Sequence, residues 1–245
     1  LAKVGAPDEI TLEYSTDEAQ WNPYTLGEKI SLADGTFLLF RAGEQKNLTF
    51  SKGSDSYYHF EISGPISAQG NIMSLLNRNF STPLSEYVFF ALFEGCTSLL
   101  SAPELPATTM AQSCYFGMFS ECTGLTSAPE LPANVLANNC YGWMFKGCSA
   151  LTYVPDLPAT EMVSYCYNNM FANCTSLKFA PELPATRLDM GCYHCMFEGC
   201  TSLTSAPELP ATELVSNCYE FMYKDCRNLR YVIGLFTTEP SEETT

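Results

Sequence analysis

Twelve cysteines, two histidines and a repeating file of acids are the groups on this 245-residue chain whose types and spacing could do chemistry. Cys96, Cys122, Cys148, Cys174, Cys200 and Cys226 recur every 26 residues, and so do Cys114, Cys140, Cys166, Cys192 and Cys218. Only Cys195 stands outside both series. Zinc needs four convergent ligands, usually from two C-x-x-C pairs. Cys192-x-x-Cys195, with His194 between, has that form, but no second pair lies near it, so no metal site is expected. A redox C-x-x-C needs a thioredoxin-like strand–helix–strand setting that is missing here. The expected state is reduced, buried thiols that pack as small apolar side chains. Disulfides between the two columns of adjacent units stay open.

The acids Glu104, Glu130, Asp156, Glu182 and Glu208 keep the same period. One carboxylate per unit does not supply the six to eight oxygens that calcium takes, so the file reads as a solvated stripe. His59 and His194 fall in different parts of the chain, and no G-x-S-x-G, Walker A loop, H-E-x-x-H or G-x-G-x-x-G occurs. No catalytic residue and no cofactor is therefore expected. Three glycan sequons start at Asn47, Asn79 and Asn173, and a bacterial origin would leave them idle.

Charge narrows the classes further. Twelve Lys+Arg against 27 Asp+Glu give 12 − 27 = −15. That charge repels phosphate backbones and anionic lipid, so nucleic-acid partners are not expected. No apolar run approaches the ~20 residues of a membrane span, so no membrane insertion of this chain is expected. The chain starts at Leu1 and reads as a segment whose signal or anchor has been removed.

The elements that must position these groups follow from the repeat. The unit reads C-x-x-L-x-x-x-P-x-L-P-A-x-x-x-[LM]-x-x-x-C-Y-x-x-M-[FY], then Cys again, over five copies. In the copy from Cys122 to Cys148, Leu125 to Leu131 reads as a short strand closed at Pro132. Cys140, Tyr141, Met144, Phe145 and Cys148 fall at i, i+1, i+4, i+5 and i+8. That spacing predicts one face of a short helix, with Asn138 and Asn139 at its N-cap. A helix would set its two cysteines about 12 Å apart, beyond disulfide reach. One strand and one helix per unit predicts stacking into a solenoid with a parallel sheet. Met73 to Leu76 stands one period before Leu99 and reads as the strand of a degenerate first unit. Leu229, Val232 and Leu235 read as a last strand.

The first 70 residues lack the period. Alternating runs at Ile10 to Tyr14, Thr36 to Phe40 and Tyr58 to Ile62, with a hairpin signal at Asp34-Gly35, predict a small β-sandwich-like domain around Trp21. The expected fold class is thus α+β: a β-sandwich-like domain over 1–70, then a leucine-rich-repeat solenoid over 71–236 with its degenerate first unit at 71–96. A flexible acidic tail over 237–245 completes the expectation.

The unit L-x-x-x-P-E-L-P-A-T…C-Y-x-x-M-F-x-x-C-T-S-L resembles the repeats of BspA-like leucine-rich-repeat surface proteins of bacteria. Residues Gly70 to Leu76 resemble the junction before such arrays, and Leu12 to Asp17 with Trp21 resemble their N-terminal β module. The resemblance implies a secreted or surface-anchored, extracellular bacterial protein with a non-catalytic role. Adhesion to host or matrix proteins or surface glycans goes with it. Cys195 departs from the pattern, and the first unit lacks the Pro-Glu-Leu-Pro element.

Specificity in a repeat protein is written at the positions that vary between copies. After each strand leucine come Leu100-Ser101, Thr126-Ser127, Thr152-Tyr153, Lys178-Phe179, Thr204-Ser205 and Arg230-Tyr231. Tyr153 and Phe179 are expected side by side on the sheet face, with Lys178 near them and Tyr231 further along, as the ligand-binding residues. Trp143 and Phe221 are analogous candidates on the helical side. The expected function is a non-catalytic, monomeric surface interaction module that binds protein or glycan through the sheet face. A spacer without a ligand and a carbohydrate-active enzyme with unrecognised acids stand as alternatives.

Overall fold

The computed structural model describes residues 1–5, 8–43, 50–77 and 83–237. The sequons at Asn47 and Asn79, and the expected tail from residue 238 onward, lie outside the described residues.

The N-terminal part forms two three-stranded antiparallel sheets. One takes the order β1 (Ala2–Val4), β6 (Ser56–His59), β5 (Ser51–Gly53); the other takes β3 (Asn22–Tyr24), β2 (Leu12–Ser15), β4 (Leu39–Ala42). Pro23, which has no N–H to give, sits on the edge strand β3. Trp21 is not the core aromatic: it is half-buried beneath the Arg41 guanidinium, 3.8 Å from its ring centre. The fully buried aromatic here is Phe50. Asp34-Gly35 does turn the chain, with the Thr36 N–H donating to Ala33 O at 3.1 Å, but only β4 on its far side becomes a strand. β7 (Ile66–Ser67) pairs in parallel with β8 (Leu99–Ser101), so Ile66, not Met73, is the neighbour of Leu99. Ile72–Leu75 forms a single 3-10 turn capped by the Asn71 side chain.

The expected α+β class is overturned in the repeats. Among the described residues the 3-10 turn at Ile72–Leu75 is the only helical element, and no continuous parallel solenoid sheet forms. On the strand side the copies touch through isolated parallel bridges, such as Ser127↔Tyr153 and Phe179↔Ser205, and through the two-residue pair β9 (Glu208–Leu209) with β10 (Ile233–Gly234). Two prolines per unit explain the interruption, because each removes a ladder donor.

The segment expected to be helical is a ribbon of overlapping turns. In residues 112–122, the N–H groups of Cys114, Phe116, Met118, Ser120 and Cys122 each donate to the carbonyl three residues back. The alternate N–H groups, on Ser113, Tyr115, Gly117, Phe119 and Glu121, donate to Asn138, Cys140, Gly142, Met144 and Lys146 of the next copy at 2.7–3.1 Å. The same five bonds recur at each of the five interfaces between successive ribbons. Every fourth residue is left-handed: Ser113, Gly117 and Glu121 have φ of 51°, 61° and 60°. A residue with positive φ at the third position of a turn is the type II signature, and it cannot occur inside an α-helix. Asn139, expected as an N-cap, is one of these residues, at φ 55°.

Each ribbon turns its Cys-Tyr and Met-Phe pairs inward. Two aromatic files run through the stack. Phe50 and Phe89 lead into Tyr115, Tyr141, Tyr167, Tyr193 and Tyr219. Phe60 and Phe93 lead into Phe119, Phe145, Phe171, Phe197 and Tyr223. Successive rings in the repeats are nearly parallel with centres 5.4–5.9 Å apart. Phe50 and Phe60 belong to the N-terminal part, which closes the first end of both files.

Phe145 and Leu151 are fully buried. Phe145→Ala is expected to cost roughly 3–5 kcal/mol by leaving a cavity in one file, read as a shift in urea unfolding. Asn139 separates ribbon from helix more sharply. Asn139→Gly should be neutral or slightly stabilising, and Asn139→Val should cost ~1–2 kcal/mol or more because a branched Cβ resists positive φ. A helix would make the glycine the worse of the two; finding that order would refute the ribbon.

Candidate interaction surface

The variable pairs stand on the strand side. There the Thr152 N–H donates to Thr126 O, and the Ala128 N–H to Tyr153 O. One copy further, the Thr204 N–H donates to Lys178 O at 3.0 Å. These bonds fix the backbone under Tyr153 and Phe179 and leave the side chains outside. Tyr153 is 54% exposed, Phe179 64% and Tyr231 61%. Lys178 is exposed as well. Tyr153 and Phe179 occupy equivalent positions in adjacent copies, flanked by Ser127 and Ser205 as their bridge partners. Neither ring contacts another described aromatic ring, and each stands more than half exposed. Tyr231 lies two copies beyond Phe179, with Ser205 between, and does not join the pair. The acid file at Glu104, Glu130, Asp156, Glu182 and Glu208 is exposed throughout. Among the described residues no group of three acids, histidines or cysteines converges to hold a metal. No helix among them is long and apolar enough to cross a membrane.

The ribbon side carries two features that the single-copy reading missed. Phe90, Phe116 and Trp143 stack at 5.3 and 5.8 Å, and Lys146 Nζ lies 3.7 Å from the centre of the Trp143 ring. Trp143 is therefore engaged by a ring and by a cation, unlike Tyr153 or Phe179. Beyond it, Asn168, His194 and Glu220 hold equivalent positions in three successive copies. Asn168 Oδ1 lies 3.2 Å from His194 Nδ1, and His194 Nε2 lies 3.4 Å from Glu220 Oε2. The signal for this row was in the sequence: the residue after each ribbon tyrosine, read down the 26-residue columns.

Cys195 sits beside that row, its sulfur 3.8 Å from His194 Nε2. A Cys–His pair invites a nucleophile reading, but the electrostatics run the other way. Burial, followed by the hydrogen bond to the Glu198 carboxylate, pushes the thiol up to about 12. Glu198 itself is held below the usual carboxylate range, first by the Lys224 ammonium at 2.6 Å. A nucleophilic thiol needs the opposite environment.

All twelve cysteines are free and buried. The first column has a defined task. The thiols of Cys122, Cys148, Cys174, Cys200 and Cys226 donate to the carbonyls of Phe93, Phe119, Phe145, Phe171 and Phe197, 29 residues earlier, at 3.0–3.1 Å. A thiol supplies a weak donor at little desolvation cost, which suits a dry interface between copies. Burial pushes Cys114, Cys148 and Cys166 up to about 12, and drives Cys140 and Cys174 well above their ordinary value of 9.0.

The sign of the linkage follows. Above pH 9 the unfolded chain loses thiol protons that the folded chain keeps, so stability is intact below about pH 9 and falls as pH rises toward 12. At pH 10 each fully buried thiol should subtract about 1 kcal/mol. Urea unfolding under reducing conditions is expected to give an unfolding free energy several kcal/mol lower at pH 10 than at pH 8, with a correspondingly lower midpoint. An unchanged midpoint would contradict the buried thiol columns.

Compared with known proteins, the chain matches no family model, no curated protein and no solved structure.

Proposed function

We propose that this chain is a non-catalytic interaction module that binds a protein or a surface glycan through the strand side of its stacked copies. The observation that carries this reading is the pair Tyr153 and Phe179. Two large rings stand more than half exposed on neighbouring copies, on backbone fixed by inter-copy bonds, with serines on either side. Large exposed rings mark binding surfaces, and tyrosine adds a polar tip for a hydrogen bond. Lys178 beside them gives a cation on a chain of net charge −15, suited to a carboxylate or a sugar hydroxyl. The resemblance of the repeat to BspA-like surface proteins supports an extracellular, bacterial setting and host, matrix or glycan ligands. The Cys195 thiol, held protonated beside His194, favours binding over catalysis.

A glycan array and a panel of extracellular-matrix proteins provide the test. Tyr153→Ala with Phe179→Ala is expected to weaken a detected ligand by tenfold or more while changing stability by less than ~1 kcal/mol, as exposed substitutions do. A double variant that binds as well as the parent, or that unfolds, ends the proposal for this face.

A further inference from the structure

Rings and carboxylates come together at several places on this chain, and at two of them the chain supplies its own cation. Arg41 lies 3.8 Å over the Trp21 ring and pairs with Glu13 Oε2 at 2.7 Å. Lys224 Nζ stands 5.3 Å from the Phe221 ring and 2.6 Å from Glu198 Oε1. One side chain serves both partners each time, because a ring face and a carboxylate attract the same charge. The strand side carries the same two kinds of group in neighbouring copies. Tyr153 is followed three residues on by Asp156, and Phe179 by Glu182, and all four are exposed. Three residues of extended chain span at most ~10 Å, so one long side chain can lie on the ring and touch the acid. Among the described residues no ion pair or ring–cation contact joins Lys178 to these groups, and none of the five acids of the file forms an ion pair with a described residue. Like charges on neighbouring rungs repel. Against the five carboxylates, the variable pairs supply only Lys178 and Arg230.

We propose that this face takes an arginine-bearing segment of a protein partner, each guanidinium lying on Tyr153 or Phe179 while its fork pairs with Asp156 or Glu182. The proposal rests on the reading of the strand side as the binding face and names the partner of that face. Geometry selects arginine over lysine: a planar guanidinium stacks flat on a ring and still presents two parallel N–H groups to a carboxylate. The two ring–acid sets sit one copy apart. In an extended segment residues i and i+2 share a face about 6.7 Å apart. Successive ribbon rings stand 5.4–5.9 Å apart, so an Arg-x-Arg sequence can address both sets within the slack of its side chains. An uncharged glycan would meet the rings and leave the charge of the acid file uncompensated.

NMR titration of the full chain in low-salt buffer tests it, with a synthetic peptide of repeated Arg-Ser units and the same peptide carrying lysine for arginine. The arginine peptide should shift the amides around Tyr153 and Phe179 saturably, and the lysine peptide should bind at least fivefold more weakly. Asp156→Asn with Glu182→Gln should weaken the arginine peptide at least fivefold. So should Tyr153→Leu with Phe179→Leu, which keeps apolar bulk and removes the ring faces. Glu9→Gln with Glu18→Gln takes the same charge from exposed acids of the N-terminal part and should change the affinity less than twofold. An arginine peptide that fails to bind, binds no better than the lysine peptide, or is indifferent to either strand-side double variant would overturn the proposal. So would self-association in sedimentation that the Asp156→Asn, Glu182→Gln variant abolishes. A glycan that needs both rings but neither acid would also overturn it, while leaving the strand side standing as the binding face. If no ligand of any class is weakened by Tyr153→Ala with Phe179→Ala, the binding face falls and this proposal with it.

Discussion

The alternate N–H groups of the turn ribbon, given to the next copy, are the bonds on which the rest of this structure depends. Each net contribution is small, about 0.5–1.5 kcal/mol, but five act together at every interface and fix register to the residue. Once register is fixed, identical side chains fall on one another. Tyrosine stacks on tyrosine, phenylalanine on phenylalanine, and each thiol of the first column meets the same phenylalanine carbonyl. The bonds are possible only because every fourth ribbon residue takes a left-handed conformation, which re-aims the intervening amides along the stack.

That requirement explains how much was legible in the sequence. The 26-residue period, the inward Cys-Tyr and Met-Phe pairs and the exposed variable pairs can all be read from spacing alone. The helix could not be trusted, because i, i+1, i+4, i+5 and i+8 fits a period of four as well as one of 3.6. The arbitrating signal lay between the apolar residues. Left-handed ribbon positions include Gly95, Gly117, Asn139, Gly147, Asn169, Asn173, Gly191, Gly199, Asn217 and Asp225. Glycine, asparagine and aspartate at four-residue intervals oppose a helix and suit type II turns. The parallel sheet is interrupted by a feature legible in the sequence, two prolines per unit, each of which removes a ladder donor.

The candidate surface was legible in a narrower sense. Tyr153 and Phe179 could be picked out as variable and aromatic, and both rings are exposed. Their freedom from ring stacking is a tertiary property: Trp143 and Phe116 look equally available in sequence yet stack on each other. The row Asn168, His194 and Glu220 shows the same limit, since its members are 26 residues apart and only stacking makes them neighbours. Cys195, conspicuous by being out of series, is kept protonated first by burial and then by Glu198 three residues on; the acid is visible in the sequence, and the burial is not.

The four-residue alternation has a consequence for how such a chain can change over time. A gain or loss of one residue inside a ribbon displaces every left-handed position after it and uncouples five bonds at once. A gain or loss of 26 residues adds or removes one interface and leaves the others as they were. The array is thus commensurate only with whole units: its internal spacing is rigid under mutation, while its length is free to drift by duplication and deletion.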